Sequence, residues 1–353
     1  MSVIFEIGEF TQEIQKKIDK MLTFVPLENK NFNKSFASFE APTTPVKCYY
    51  AKEGKVHLPY RFACSLMKKV YNMEKHPSIS EDKSLEFKGK LLPRQEEPYN
   101  TALEYLKKYN TCTIALYPGF GKTFLGCMLA HRLNRVTCIL VHRENVGKQW
   151  IKSLKTYMPD IKDEDLWYVN DKPKENAKIM VCMSGRTDKI PQTLRNKVGT
   201  LIIDEAHCFC SESRIKALLA FTPRFTIAET ATPIKDNGMH KIIQSIAGTH
   251  YIKKISNKPY KCYIIQTNLN FITEGKNPFT ELVTQQCESD ERNEVIKNIV
   301  KDNPTKKVMI ASPRTKHCDT ICENIEELGI KPSKLYGTIK NYKTSQVLVG
   351  TTS

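Results

Sequence analysis

The sequence lacks the features of a membrane-spanning or secreted protein. No run approaches the ~20 consecutive apolar residues that a bilayer-spanning helix requires. The opening residues, MSVIFEIGEFTQEIQ, carry acidic but no basic side chains ahead of an apolar run, so we expect no secretory signal. These absences favour a cytoplasmic-type protein without a membrane partner.

Metal-site spacing is also missing, although the chain has 12 cysteines. The close pairs are Cys208 with Cys210 and Cys318 with Cys322. Neither pair has a second pair of cysteine or histidine at zinc-finger distance. Most other cysteines lie among apolar residues, which predicts reduced, buried thiols rather than metal ligands or disulfides.

Charge is the first positive indication of function. The 54 basic and 38 acidic residues give 54 − 38 = +16 at pH 7. Such an excess favours a polyanionic partner, nucleic acid before a membrane surface. The alternative is a lysine-rich protein whose charge only solvates its surface.

The length of 353 residues predicts two domains with a small extra module. Residues 1–88 mix short apolar runs with polar patches and predict a small N-terminal α+β module, with a strand at 56–60 and a helix at 61–73. Residues 251–303 predict an extended connection with some strand. Residues 304–353 begin a second α/β pattern of too few elements to bury a doubly wound sheet, so we expect this domain to be incomplete.

Residues 89–250 alternate buried-type apolar runs with helical patterns, which predicts parallel βαβ units. The helical patterns cover 123–133 and 145–157. The apolar runs predict five strands, at 113–116, 137–141, 178–182, 200–203 and 225–228.

The strongest chemical signal is a glycine-rich turn between a predicted strand and a predicted helix. It reads A-L-Y-P-G-F-G-K-T from Ala115 to Thr123, the context that a phosphate-binding P-loop needs. Its amides would surround phosphate oxygens, with Lys122 on the β and γ phosphates and Thr123 on Mg²⁺. The usual first glycine is replaced by Leu116, and a chance glycine-rich turn is the alternative. The candidate ATP-binding residues here are Pro118, Gly119, Phe120, Gly121, Lys122 and Thr123.

A second signal is an apolar strand that ends in two carboxylates, Asp204 and Glu205. At the carboxyl edge of a parallel sheet, Asp204 would face Mg²⁺ and Glu205 would polarise the attacking water. An ordinary strand exit is the alternative. A P-loop followed by an acidic strand end argues against it.

G-x-G-K-T followed by D-E-A-H resembles superfamily 2 helicases and nucleic-acid translocases. The resemblance implies a RecA-like ATPase domain at 89–250 and the start of a second, truncated RecA-like domain at 304–353. It implies an ATP hydrolase that uses Mg²⁺, with catalytic roles for Lys122, Asp204, Glu205 and His207. Leu92-Pro93-Arg94-Gln95 resembles the adenine-reading glutamine motif and places Gln95 at the nucleotide. His207 would bridge the acid pair to motif III, or would only cap a turn.

The same resemblance implies contacts to nucleic acid. Segments similar to motifs Ia, III and V, and a further backbone-contacting segment, supply candidate residues. For Arg143 and Arg186 the alternative is a solvated surface position. For Thr351 and Thr352 it is an ordinary strand position, and for Trp150 in the motif Ia-like helix it is the position of a core aromatic side chain. The candidates for nucleic-acid contact or coupling are Arg143, Gln149, Ser184, Gly185, Arg186, Thr230, Thr232, Thr351 and Thr352.

Within the superfamily the chain most resembles the transcript-release helicases of poxviruses, iridoviruses and asfarviruses, with XPB-like motifs. That likeness implies DNA or RNA bound with little sequence preference, a viral transcription complex, and a location in the host cytoplasm or virion. The sequence departs from the superfamily because it lacks Q-x-x-G-R-x-x-R, the motif with the arginine finger. We therefore expect nucleotide binding with weak hydrolysis.

Two other classes stay open. One is a nucleic-acid-binding transcription cofactor with an incomplete ATP site. The other is the motor portion of a restriction or chromatin-type assembly, although neither a nuclease motif nor a chromatin-reading module is visible in the sequence.

Overall fold

The computed structural model describes residues 2–27, 44–69, 86–257, 259–273, 277–337 and 345–351. The chain forms two compact units, residues 1–258 and residues 259–353. Thr352 and the end of the helix predicted at 61–73 lie outside the described residues. Within the described part, no helix is both long and apolar enough to cross a membrane.

A seven-stranded sheet organises the first unit. All of its pairings are parallel, as expected for strands that read as continuous apolar runs. The strand order is β12-β6-β11-β10-β7-β9-β8, where the strands are β6 (Thr111–Leu116), β7 (Thr137–Val141), β8 (Leu166–Tyr168), β9 (Ile179–Met183), β10 (Thr200–Ile203), β11 (Phe225–Thr230) and β12 (Tyr251–Lys254).

Helices connect these strands and cover both faces of the sheet. Along β10, Leu201 and Ile203 belong to one apolar core cluster, whereas Ile202 belongs to another. Successive strand residues point to opposite faces, so the sheet is buried on both sides. The architecture is α/β and RecA-like, which confirms the predicted fold class. The helices of this region are α3 (Pro93–Tyr109), α4 (Lys122–Leu133), α5 (Glu144–Tyr157), α6 (Gln192–Lys197), α7 (Glu212–Leu219) and α8 (Lys241–Ala247).

The N-terminal elements pack on one face of this sheet. Leu22, Leu58 and Tyr60 are fully buried in the same core cluster as Leu201 and Ile203. Antiparallel pairing gives the sheet β1-β5-β4 and the pair β2-β3. These elements are β1 (Ser2–Glu6), α1 (Gln12–Leu22), β2 (Thr23–Phe24), β3 (Val46–Lys47), β4 (Tyr50–Lys52), β5 (Lys55–Pro59) and α2 (Tyr60–Met67).

The second unit contains a three-stranded parallel sheet of order β13-β15-β14. Its core includes Val300, Ile321, Ile325 and Val347. The elements are α9 (Pro278–Glu288), α10 (Asp290–Lys301), β13 (Val308–Ser312), α11 (Thr315–Glu326), β14 (Ser333–Leu335) and β15 (Val347–Thr351).

The structure differs from the sequence prediction in several places. The short strands β8 and β14 were not predicted, and α2 ends at Met67, before the end of the helix predicted at 61–73. The extended connection predicted for 251–303 is wrong at 278–301, where α9 and α10 form. Asn277 caps α9 with Pro278 at its first position, and Ser289 caps α10 ahead of two acidic residues. These are helix-start signals, but asparagine, serine and proline are also common in loops, so the same residues resemble loop composition.

Candidate nucleotide and nucleic-acid site

The predicted site residues gather at one edge of the large sheet. Because β6, β7, β9, β10 and β11 run parallel, their carboxyl ends share that edge, which is where ligands bind in open α/β sheets. Each of the five strands is followed by predicted residues: Pro118 to Thr123 after β6, Arg143 after β7, Ser184 to Arg186 after β9, Asp204 and Glu205 after β10, and Thr232 after β11.

The turn after β6 has the backbone of a phosphate cradle. Gly119 and Gly121 adopt φ values of 80° and 105°, a left-handed region that glycine enters without steric cost. Space around the Cα of Gly119 is open, with nothing within 4 Å of an added Cβ. Lys122 begins α4, so the first-turn amides of that helix lack intrahelical acceptors and can bind an anion. The Lys122 Nζ donates to the Leu116 carbonyl at 3.1 Å.

Gln95 supports this turn from α3. The side chain is buried, and its Nε2 donates to the Phe120 carbonyl at 3.0 Å while its Oε1 accepts from the Leu92 amide at 3.0 Å. A Cβ on Gly121 would lie 2.5 Å from Gln95 Nε2, so only glycine fits this close approach. One amide hydrogen and one lone pair remain for a nucleotide. The adenine-reading role of Gln95 stays a prediction.

Asp204 is buried beside the P-loop. Its Oδ2 accepts a 2.7 Å hydrogen bond from the indole Nε1 of Trp150 on α5. Burial is the main cause that raises the pKa of Asp204, with Glu205 adding to it, whereas the Trp150 bond and the charge of Lys122 oppose it. Lys122 is therefore close enough to stabilise the carboxylate. Carboxylate and hydroxyl oxygens are ligands that Mg²⁺ prefers, so Asp204 and Thr123 fit that ion.

Glu205 and His207 form a small network with Thr230 and Thr232, the two threonines of the segment that resembles motif III. Glu205 has φ 48°, a strained conformation of the kind often found at functional sites. Its Oε2 lies 3.3 Å from His207 Nδ1 without an aligned hydrogen bond. His207 Nδ1 lies 2.9 Å from Thr230 Oγ1, which accepts from the Thr232 amide at 3.0 Å. Burial lowers the pKa of His207, which favours the neutral ring.

The predicted nucleic-acid residues differ in exposure. Arg143, Gln149, Gly185 and Thr232 are exposed, whereas Ser184 and Arg186 are half-buried and Thr230 is buried. The Arg186 guanidinium donates to the side chain of Asn170. Thr351 is half-buried at the end of β15 in the second unit, and Thr352 is not described. These contacts stay predictions.

Two residues with a place at this site were not predicted to have one. Trp150 was interpreted as a core aromatic, and its buried ring also donates to Asp204. Glu229 on β11 is fully buried, and neither carboxyl oxygen has a hydrogen-bond partner in the described structure. The sequence signal was an acidic residue within an apolar strand. The strand predicted at 225–228 ended one residue before Glu229 and therefore missed it.

Comparison with known proteins gives related helicases. Residues 88–235 match the family model described as "Type III restriction enzyme, res subunit". "Putative helicase 161L" of Invertebrate iridescent virus 6 is 26% identical over 280 residues, which cover 77% of this chain and 62% of that protein. "Putative helicase 055L" of Frog virus 3 is 23% identical over 281 residues, covering 74% and 63%. The chain thus spans less than two thirds of the length of these relatives.

Among solved structures, the helicase domain of Pyrococcus furiosus Hef aligns over 73% of this chain and 85% of its own, at 14% identity and a TM-score of 0.45. The sequence matches are to a restriction-enzyme subunit family and to proteins described as putative helicases.

Proposed function

We propose that this chain is an ATP-dependent helicase or translocase of the DEAH type that couples ATP hydrolysis to movement on nucleic acid. The observation that carries the proposal is one edge of one sheet, where a glycine-rich anion cradle stands beside a buried acid. Lys122 and Asp204 influence each other electrostatically there. A cradle for phosphates next to a ligand for their counter-ion is the arrangement that nucleoside triphosphate hydrolysis requires.

The chain's own groups would divide the work. The amides from Gly119 to Thr123 bind phosphate oxygens, and Lys122 exchanges its bond with the Leu116 carbonyl for one to phosphate. Thr123 and Asp204 would hold Mg²⁺, which when bound neutralises phosphate charge. Glu205 accepts a hydrogen bond from the attacking water and orients it in line. Thr230, which contacts His207 and lies in the segment similar to motif III, would couple ATP hydrolysis to movement on nucleic acid.

The partner follows from charge and exposure. A net charge of +16 favours a polyanion, and Arg143, Gln149 and Thr232 are exposed at the edge that carries the cradle. Side chains of this kind contact the sugar-phosphate backbone of the nucleic acid, so DNA or RNA would bind with little sequence preference. A role in a viral transcription complex, in the host cytoplasm or virion, is proposed from the likeness to viral helicases.

The test is nucleic-acid-stimulated ATPase activity of the purified chain and two variants. Lys122→Ala removes a cation from the phosphates, and Glu205→Gln removes the base that orients water. Each should lower kcat about 100-fold or more. Lys107→Ala, an exposed lysine in the last turn of α3, is the matched control and should match wild type. Equal rates in Lys107→Ala and Lys122→Ala would contradict the proposal.

A nucleic-acid-binding transcription cofactor with an incomplete ATP site is the second candidate. It is favoured by one observation, the net charge of +16, which serves a nucleic-acid binder whether or not it hydrolyses ATP. ATP turnover separates the two. Under both candidates wild type binds ADP and Lys122→Ala binds it more weakly, but only the first predicts ATP turnover that rises when DNA or RNA is added.

A further inference from the structure

Trp150 lies between the P-loop helix and the acid strand with both ends of its ring fixed. At one end, Nε1 donates to Asp204 Oδ2 at 2.7 Å. At the other, the ring meets α4 so closely that a Cβ on Gly126 would lie 2.6 Å from its Cη2 atom. The side chain has no exposed surface. The indole therefore has little freedom to turn, and its N–H points at one carboxylate oxygen.

We propose that Trp150 is a positioning residue that orients the Asp204 carboxylate toward Mg²⁺. The proposal rests on the proposed function, because it assigns the metal to Asp204. It adds that the affinity for Mg²⁺ depends on a side chain that touches neither the metal nor the nucleotide.

The physical reason lies in the asymmetry of the two carboxylate oxygens. Oδ2 accepts from the indole, and the backbone of Glu205 also donates to this carboxylate; together they restrict rotation about the Cβ–Cγ bond and set the direction of Oδ1. Hydrogen bonds to an ionised acceptor are shorter and stronger than neutral ones. Outer partners that orient a metal-binding group commonly change metal affinity by about 10- to 100-fold when removed. At 7% exposure of Asp204, bulk water has little access to replace the lost donor.

The chain contains its own control. It has two tryptophans, and Trp167 on β8 is also buried in the first unit. The Trp167 Nε1 has no hydrogen-bond partner among the residues that the structure describes. Trp150→Phe and Trp167→Phe therefore remove the same atoms from two buried sites, but only the first removes a hydrogen bond to an acid.

The primary experiment is calorimetric titration of ADP into wild type and both variants, without Mg²⁺ and across a series of Mg²⁺ concentrations. For Trp150→Phe we expect Mg²⁺-free ADP affinity within twofold of wild type. The Mg²⁺ concentration that gives half of the maximal change in ADP affinity should rise about tenfold or more. Trp167→Phe should match wild type in both. Equal Mg²⁺ dependence in the two variants overturns the inference and leaves the proposed function intact, whereas wild type that binds no ADP overturns both.

A second measurement does not need Trp150 to be replaced. In Trp167→Phe, Trp150 is the sole tryptophan, so its fluorescence reports on the bond to Asp204. We expect its emission to change when Mg²⁺ is added to the ADP-bound protein. The change should be absent when Asp204→Asn is added to this background. If the emission does not change with Mg²⁺, or changes equally in the Asp204→Asn variant, the inference is overturned. This test holds even if Trp150→Phe does not fold.

Discussion

At the scale of single residues, Glu229 is the most unusual group in the first unit. It is fully buried on β11 without a hydrogen-bond partner in the described structure. Burial raises its pKa well above the ordinary value of 4.5, and the nearby charges of Asp204 and Glu205 raise it further against the opposing charge of Lys122. The raised pKa favours the protonated carboxyl, which avoids a third negative charge near Asp204 and Glu205.

This protonation predicts a pH-dependent stability. Between pH 4.5 and its raised pKa, Glu229 holds a proton in the folded state that it loses on unfolding, so the free energy of unfolding falls as pH rises. Glu229→Gln removes that term, so the stability of the variant relative to wild type should increase across this window, by about 1.4 kcal/mol per pH unit. Denaturant titrations at several pH values measure it.

The control for this prediction is Glu104→Gln on α3, where the side chain is exposed and gains no burial on folding. Its free energy of unfolding should follow the wild-type pH profile. A Glu229→Gln profile parallel to that of wild type would show that Glu229 ionises in the folded protein much as it does when unfolded.

At the scale of elements, the approach of α4 to the sheet is set by Gly126. An added Cβ would lie 2.6 Å from the Trp150 ring and 2.7 Å from Glu229 Oε1. Both neighbours are fully buried and cannot move into solvent. The glycine thus allows α4 to pack directly on the Trp150 ring, whose indole N–H donates to Asp204. In this way α4, α5 and the end of β10 are brought into contact.

Gly126→Ala should therefore destabilise the protein, although alanine is the better helix former. The clash outweighs the helix-propensity gain, and we expect a net loss of about 1–2 kcal/mol in the free energy of unfolding. Thermal and denaturant unfolding measure it. Gly8→Ala, where an added Cβ meets nothing within 4 Å, should change stability by less than about 0.5 kcal/mol. Equal effects would mean that the sheet accommodates the methyl group.

At the scale of the whole molecule, charge governs how a polyanion would bind. The excess of +16 is distributed along the chain rather than in one tail. The exposed Arg143 follows β7 at the edge with the cradle, and the exposed Lys107 precedes β6 at the opposite edge. Backbone contacts at the first edge would release counterions, whereas charge at the second would act only over distance.

Binding to single-stranded DNA should therefore weaken linearly in a plot of log affinity against log salt concentration. Each phosphate contacted contributes a slope of about −0.7. Arg143→Ala should make the slope less steep by about that amount for all sequences, and Lys107→Ala should leave it unchanged. Fluorescence anisotropy from 50 to 200 mM salt distinguishes them, because each phosphate contact changes the affinity roughly threefold over this range. Affinity independent of salt would contradict phosphate contact.

Much of this molecule was determined locally by its sequence. Continuous apolar runs predicted five of the seven strands in the large sheet, because a strand buried on both faces needs no polar alternation. Gly119 and Gly121 predicted a tight turn between β6 and α4, because glycine enters positive φ without steric cost. The predictions failed where the signal was short, as in β8, or where helix caps resembled loop composition, as at Asn277 and Ser289.

Only the tertiary structure decided which side chains meet. Trp150 and Asp204 are 54 positions apart, and Gln95 lies 25 positions before the carbonyl that it holds. Both pairs are separated by whole strands and helices, so their contact depends on the strand order of the sheet and on the side of it where each helix packs. The burial of Glu229 has the same origin, since Gly126 of α4 lies against its carboxyl group. The sequence determines the chemistry of each side chain. The distances between side chains, their exposure and their local dielectric are set only when the sheet and its helices assemble.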